Sequence, residues 1–175
     1  MSDNENVMRK VKVEKLTLNF GAGKDQVLLK KGERLIKQIT NIDPVRTVTQ
    51  KRIPGWGLRP GLPIGCKLTL RGKAAEDVLN RLLQAKGMRL APSCFDNEGS
   101  VSFGIHEYID IPGTKYDPEI GIIGIQASVT LARPGFRVKQ RKIRPRRIHK
   151  THRISREDAV AFMKEAFGVV VGEEE

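Results

Sequence analysis

Between Val11 and Phe20, the apolar residues Leu16, Leu18 and Phe20 alternate with Lys15, Thr17 and Asn19. A period of two marks a strand with one oily and one polar face. From Asp25, a suitable N-cap, the period lengthens: Leu28, Leu35, Ile36 and Ile39 recur at helical spacing. That predicts an amphipathic helix through about Thr40, ended by Asn41 and Pro44. Leu62 to Arg71 alternates again, with Ile64, Cys66, Leu68 and Leu70 on one side and Lys67, Thr69 and Arg71 on the other. Lys73 to Lys86 reads as a second helix, with Val78, Leu79, Leu82 and Leu83 inward and Gly87 as its stop. After a turn at Asp96 to Gly99, Val101 to Ile111 and Ile122 to Leu131 predict two more strands, linked through Pro112 to Pro118. Ser155-Arg156-Glu157-Asp158 has the form of a capping box with Asp at the usual Glu position. It opens a short helix through Phe167 in which Val160, Phe162, Met163 and Phe167 are available to dock.

The resulting order, β-α-β-β-α-β-β, predicts an α+β fold: an open, mainly antiparallel sheet with helices on one face and the other face free. Residues 1–132 form this domain, and residues 133–175 a basic extension ending in a short helix within the same structural unit. Thr47, Val48 and Thr49 favour strand before residues 49–61, and Leu68, Thr69 and Leu70 favour it after them. Pro54-Gly55, Gly57, Pro60-Gly61 and Pro63 in between oppose regular structure, so a long, mobile finger loop is expected there.

Charge changes this outline into a functional expectation. The chain carries 32 Lys and Arg against 20 Asp and Glu, a net charge of +12. Ten of the cations lie between Arg133 and Arg153 with no acid, and seven between Pro44 and Ala75, again with no acid. The remainder holds 15 basic against 20 acidic residues. Positive charge confined to two segments is the footprint of nucleic-acid binding. An anionic membrane is the competing partner, but neither segment has the apolar helical face that docking on lipid requires. The finger supplies Lys51, Arg52 and Arg59, and its Trp56 could stack on a base or a sugar. The alternative is a solvated loop with the indole tucked back onto the sheet. Arg137, Lys139, Arg141, Lys142, Arg144, Arg146 and Arg147 populate the extension. Broken by Pro134 and Pro145, it is expected to be disordered or loosely extended until it meets RNA phosphate or a neighbouring protein.

Other chemistries find little support. Cys66 and Cys94 lack CxxC spacing and read as reduced thiols, Cys66 on the apolar face of its strand. Met1 to Lys10 lacks the apolar stretch of a signal peptide and no run approaches a membrane span, which suggests a soluble intracellular protein. Gly21-Ala22-Gly23-Lys24 joins a strand to a helix, but GxxxxGK[ST] is absent and Gln26 stands where GxGxxG needs its third glycine. His106 reads as a satisfied strand histidine, and His149 and His152 have no second pair with which to hold a metal. No GxSxG, HExxH, Cys-His signature or paired carboxylate motif is present, so catalysis and a cofactor are not expected. An acidic tail, Glu173 to Glu175, closes the sequence. A basic α+β domain with an uncovered polar sheet face is a natural platform for RNA, whose shallow grooves and single-stranded loops are read by broad surfaces.

The motifs KLTLNFGAG, LRPGLPIGCKLTLRG and SVSFGIHEYIDIPGTKYDPEIGIIGIQASVTLARPGFR, with RPGFRVKQRK and HRISREDAVAFMKEAF after them, closely resemble the universal fifth protein family of the large ribosomal subunit. The resemblance covers nearly the whole chain, and its C-terminal part is of the archaeal or eukaryote-like form. It implies a ribosomal, cytoplasmic protein that binds 5S rRNA in the central protuberance, alongside 23S-type rRNA and neighbouring large-subunit proteins. It further implies a finger reaching P-site tRNA and a contact with a small-subunit head protein. The family's RNA-facing asparagine falls on Asn19 and its second-arm threonine on Thr69. Where the family often has Gly-Gln-Lys-Pro, this chain reads Asn41-Ile42-Asp43-Pro44, so with Ile42 the usual glutamine contact is lost or replaced, and the backbone or Arg46 and Thr47 are expected to serve that spot if anything does. Lys67 and Arg71 complete the expected rRNA-binding set. A free-standing RNA-binding or RNA-chaperone module is the alternative function, and a nucleotide-handling enzyme using the glycine turn is a third.

Overall fold

Burial follows the alternation closely. In strand β1, Lys12–Gly21, the side chains of Leu16 and Leu18 are fully buried and Phe20 nearly so, whereas Thr17 and Asn19 on the opposite face are partly exposed. A computed structural model describes residues 6–172 of the chain. The acidic tail, Glu173 to Glu175, lies outside the described residues. Helix α1, Gln26–Thr40, begins at Asp25, whose carboxylate accepts from the backbone N–H groups of Val27 and Leu28 at 2.8 and 3.2 Å. It ends at Asn41, which adopts a left-handed conformation and donates its N–H to the Lys37 carbonyl. Strands β2, Val45–Val48, and β3, Pro63–Leu70, flank the finger, and α2, Lys73–Ala85, follows. Beyond the two-residue β4, Arg89–Leu90, come β5, Ser100–Ile105, and β6, Ile125–Ala132. The main sheet is five-stranded and antiparallel throughout, in the order β2-β3-β1-β6-β5.

Helices α1 and α2 cover one face of this sheet. Leu35 and Ile36 of α1 and Leu79, Leu82 and Leu83 of α2 are fully buried, each contributing about 1.5–3 kcal/mol by leaving water. The helix α1 comes unusually close to the sheet at Gly32. A Cβ placed there would lie 2.1 Å from Cδ1 of Phe20, so only glycine lets the phenyl ring lie against the helix backbone. Arg81 of α2 ties the layer together, donating to the carbonyls of Ile39 at 3.1 Å and Pro112 at 2.9 Å.

Two expected strands are shorter than the sequence suggests. The strand foreseen from Val101 to Ile111 ends at Ile105, and β6 begins at Ile125 rather than Ile122. His106 is therefore not a strand residue but sits, exposed, on a bend. The intervening loop turns away to cap the helix layer. Tyr108, Ile111 and Ile120 are buried in it, the Tyr108 hydroxyl accepts from the Asp117 N–H at 2.9 Å, and the Lys115 carbonyl accepts from Gln38 of α1. Apolar alternation alone could not separate these core-seeking loop residues from strand.

The basic extension departs further from expectation, because both of its ends are docked. Phe136 and Ile154 are buried, and the rings of Phe136 and His152 meet edge to face with centroids 5.8 Å apart. Arg133 donates to the Arg153 carbonyl and pairs with Asp158 at 3.0 Å. Short helix α3, Arg137–Gln140, and α4, Arg156–Phe167, lie within it. The capping box at α4 is formed in both directions: Asp158 N–H donates to Ser155 Oγ at 3.1 Å, and Ser155 N–H to Asp158 Oδ2 at 3.0 Å. Strand β7, Val170–Val171, then pairs in parallel with β4. Arg141 to Arg147, between the anchors, is exposed.

Candidate nucleic-acid interface

In an antiparallel sheet, directly paired residues point to the same side, so the register defines the uncovered face row by row. Asn19 of β1 stands between Lys67 of β3 and Gln126 of β6, and Thr17 between Thr69 and Ser128. Lys15 pairs with Thr130, and β5 adds Ser100 opposite Thr130 and Ser102 opposite Ser128. Thr47 of β2 completes the surface opposite Gly65. Apart from exposed Val45, opposite Lys67 on β2, the result is a face of hydroxyls, amides and two lysines with no carboxylate among these positions. Asn19 donates its side-chain N–H to Gln126 Oε1 at 3.0 Å, and the Ser102 and Ser128 hydroxyls are 2.8 Å apart. These pairs hold their side chains in place while leaving further donors and acceptors open.

The rRNA-binding residues expected from the sequence are thus partly regrouped. Asn19, Thr47, Lys67 and Thr69 share the open face, with Asn19 and Thr69 diagonal neighbours across β1 and β3. Arg46 does not join them. It pairs with the register of buried Cys66, and its guanidinium grips Glu33 of α1 through two donors, the second at 3.0 Å. On an edge strand both faces meet solvent, so exposure in the sequence pattern could not tell which way Arg46 points. The Arg46 hydrogen bond holds the Glu33 carboxyl below the usual carboxylate range. Arg71 lies at the end of β3, 3.7 Å from Glu14, a carboxylate at the bulge between Val13 and Lys15 that also accepts from Gln140 at 2.9 Å. The residues the sequence reading passed over are Lys15, Thr17, Gln126, Ser102 and Ser128. The alternation of Gln126, Ser128 and Thr130 within the Ile122 to Leu131 run carried the signal for the β6 members.

Beneath this face Cys66 is fully buried, and burial, with the charge of Glu33 adding to it, pushes its thiol up to about 11. It stays protonated across the range in which an exposed cysteine forms thiolate. Alkylation of the folded protein at pH 8 should accordingly label Cys94 first and reach Cys66 only on addition of denaturant. Peptide mass mapping reads the order, and equal labelling of both would contradict the packing.

The finger is a folded hairpin and not an unstructured loop. Thr49 N–H donates to the Leu62 carbonyl and Gly61 N–H to the Thr49 carbonyl, both at 2.9 Å, and Ile53 and Leu58 form a bridge around a turn at Pro54–Trp56. Leu58 is buried, whereas Trp56 is 70% exposed, so the indole is presented and not tucked back. Lys51, Arg52 and Arg59 are all exposed around it. In the extension, Arg137, Lys139, Arg141, Lys142, Arg144, Arg146 and Arg147 are exposed as well. Arg141 donates to the Arg144 carbonyl at 3.0 Å, and Arg146 N–H to the Val138 carbonyl at 3.2 Å, so these cations sit on a defined loop. Among the described residues no group of three His, Cys, Asp or Glu side chains could hold a metal, and no helix is long and apolar enough to cross a membrane.

The proteins that this chain resembles in sequence are ribosomal. Residues 6–59 match the family model described as Ribosomal protein L5, and residues 63–170 match the model for the C-terminus of the same ribosomal family. The chain is 48% identical over 169 residues to the large ribosomal subunit protein uL5 of Sulfurisphaera tokodaii, covering 96% of each. It is 45% identical to that of Nanoarchaeum equitans, covering 95% of this chain and 99% of the relative, and 43% to that of Methanosphaera stadtmanae, with the same coverage. These relatives are archaeal ribosomal proteins and not enzymes. With both models matched in sequence over almost all of the described residues, the chain belongs to the ribosomal protein L5 family, in its archaeal branch.

Proposed function

We propose that this protein is a structural component of the large ribosomal subunit, working on the ribosome in the cytoplasm, that holds 5S rRNA on the open face of its five-stranded sheet. The observation that carries the reading is the register itself: Asn19, Thr17, Lys67, Thr69, Gln126 and Ser128 stand side by side without an acid between them. Neutral donors and acceptors recognise ribose and base edges, while the lysines position the phosphate backbone. In this reading residues 1–132 are the RNA-binding domain and the extension of residues 133–175 meets 23S-type rRNA and neighbouring large-subunit proteins. The finger, with Lys51, Arg52, Trp56 and Arg59, reaches P-site tRNA and a small-subunit head protein. No reaction is catalysed.

Asn19→Ala and Thr69→Val should each weaken 5S rRNA binding by about 1–3 kcal/mol, because a desolvated RNA group is left unpaired. Neither should change the salt dependence, since no charge is removed. Arg59→Gln should lose little affinity for 5S rRNA if the fingertip is reserved for tRNA. Filter-binding titrations at several salt concentrations, with an unrelated folded RNA of equal length as reference, provide the measurement. Parental binding by both neutral variants, with loss confined to Arg59→Gln, would move the RNA platform from the sheet to the finger. A free-standing RNA chaperone, the alternative function, would not co-sediment with large ribosomal subunits at moderate salt.

A further inference from the structure

We infer that an open hollow between the finger and the turn from β1 to α1 binds a backbone phosphate of RNA, with Lys24 as its contribution from the body of the domain. The hollow, of about 880 Å³, is lined by Lys24, Arg52, Gly57, Leu58, Arg59 and Pro60 among others, and no carboxylate lines it. Its cations come from two separate parts of the chain. Among the described residues none of Lys24, Arg52 and Arg59 is in an ion pair with Asp or Glu. The nearest acid in sequence, Asp25, is engaged with the first N–H groups of α1.

The glycine turn that carries Lys24 is fixed relative to the finger. Ala22 and Gly23 both donate their N–H to the Ile64 carbonyl, at 2.9 and 3.0 Å, and Gln26 donates to the Pro63 carbonyl at 2.9 Å. At the tip, a Cβ placed on Gly57 would lie 3.6 Å from Cδ of Lys24, so the lysine stem lies against the finger. Gly57 has φ +68, a conformation glycine adopts without strain, and the resulting turn leaves room for that stem. Three cations gathered around one open space repel one another and are relieved by an anion. Two of them are arginines, whose planar forks suit phosphate. Leu58 and the prolines provide an apolar wall for a ribose, and the open side of the hollow admits a continuous strand.

The glycine turn GAGK thus serves nucleic acid through its lysine and not a nucleotide through its amides. This assignment rests on the RNA-binding reading above but uses different residues from the sheet face. Filter binding of Lys24→Gln, Arg52→Gln, Arg59→Gln and Lys24→Arg to isolated tRNA and to isolated 5S rRNA tests it. Lys24→Gln should weaken binding to one or both RNAs about tenfold and lower the log–log salt slope by roughly 0.7–0.9, as each arginine variant does. Lys24→Arg should restore both. Loss on tRNA alone assigns the phosphate to tRNA, and loss on 5S rRNA alone to that RNA. Parental affinity and slope for Lys24→Gln on both RNAs would overturn the assignment, whatever the arginine variants do. Failure of Asn19→Ala and Thr69→Val to weaken 5S rRNA binding would instead count against the sheet face and leave this site standing.

Discussion

Replacing Arg141, Lys142, Arg144, Arg146 and Arg147 together with Gln is expected to reduce the affinity for ribosomal RNA roughly a hundredfold or more at 0.1 M salt. The loss should arise almost entirely from electrostatics. Each phosphate neutralised contributes about 0.7–0.9 to the log–log salt slope, so removing five cations should flatten it by up to about four. All five side chains are exposed on a loop whose two ends are docked, so the fold should survive the change. The docking also sharpens the expectation. A tethered loop with Arg141 held to the Arg144 carbonyl presents its cations without first having to be ordered, and little of the binding energy is then consumed by folding the segment. An unaltered slope in the quintuple variant, with circular dichroism showing an intact fold, would mean that this loop faces protein or solvent.

Gly32→Ala should destabilise the protein by about 2 kcal/mol, even though alanine is the better helix former by roughly 1 kcal/mol. The added methyl would meet the Phe20 ring at 2.1 Å, and that ring is itself buried, so either it or the helix has to shift. For a chain of this length the thermal midpoint should fall by about 4–8 °C. Phe20→Leu in the same background should recover part of the loss, because the two changes act on one contact and are not additive. A Gly32→Ala protein as stable as the parent would show that α1 can lift off the sheet without cost.

Some of these elements could be read from the sequence because their signals are local. The Asp25 cap, the Ser155–Asp158 box and the alternation of β1 and β3 depend on residues within a few positions of one another, and all are present. Where the outcome depends on distant residues, the sequence was ambiguous. Tyr108 and Ile111 are as apolar as strand residues, but the ladder ends at the Ile105–Ile125 pair and their side chains are buried in the loop beyond it. Phe136 lies among so many cations that composition predicts disorder, yet the extension docks through its ring, Ile154, the Arg133–Asp158 pair and the buried Ala159, Met163 and Val169. In the candidate site, the polar faces of β1 and β3 were visible as alternation. The side on which Arg46 lies was not, because Glu33 belongs to another element. In the sequence Lys24 belongs only to a failed nucleotide motif, and it is the folded finger that brings it to one hollow with Arg52 and Arg59.

The docking of Ile154 and the Arg133–Asp158 pair also orders events in time. During synthesis the main sheet has all its strands once Ala132 has left the ribosome making it, and domains fold as their sequence emerges. The second anchor of the cationic loop, Ile154 with the Arg133–Asp158 pair at the start of α4, is not complete until that segment has emerged as well. For that interval ten cations trail from a finished sheet with only one end held, free to adhere to any RNA within reach. Docking Ile154 and pairing Asp158 with Arg133 convert this indiscriminate tail into a loop of fixed outline, so the emergence of one short segment is itself the step that limits where those charges can bind.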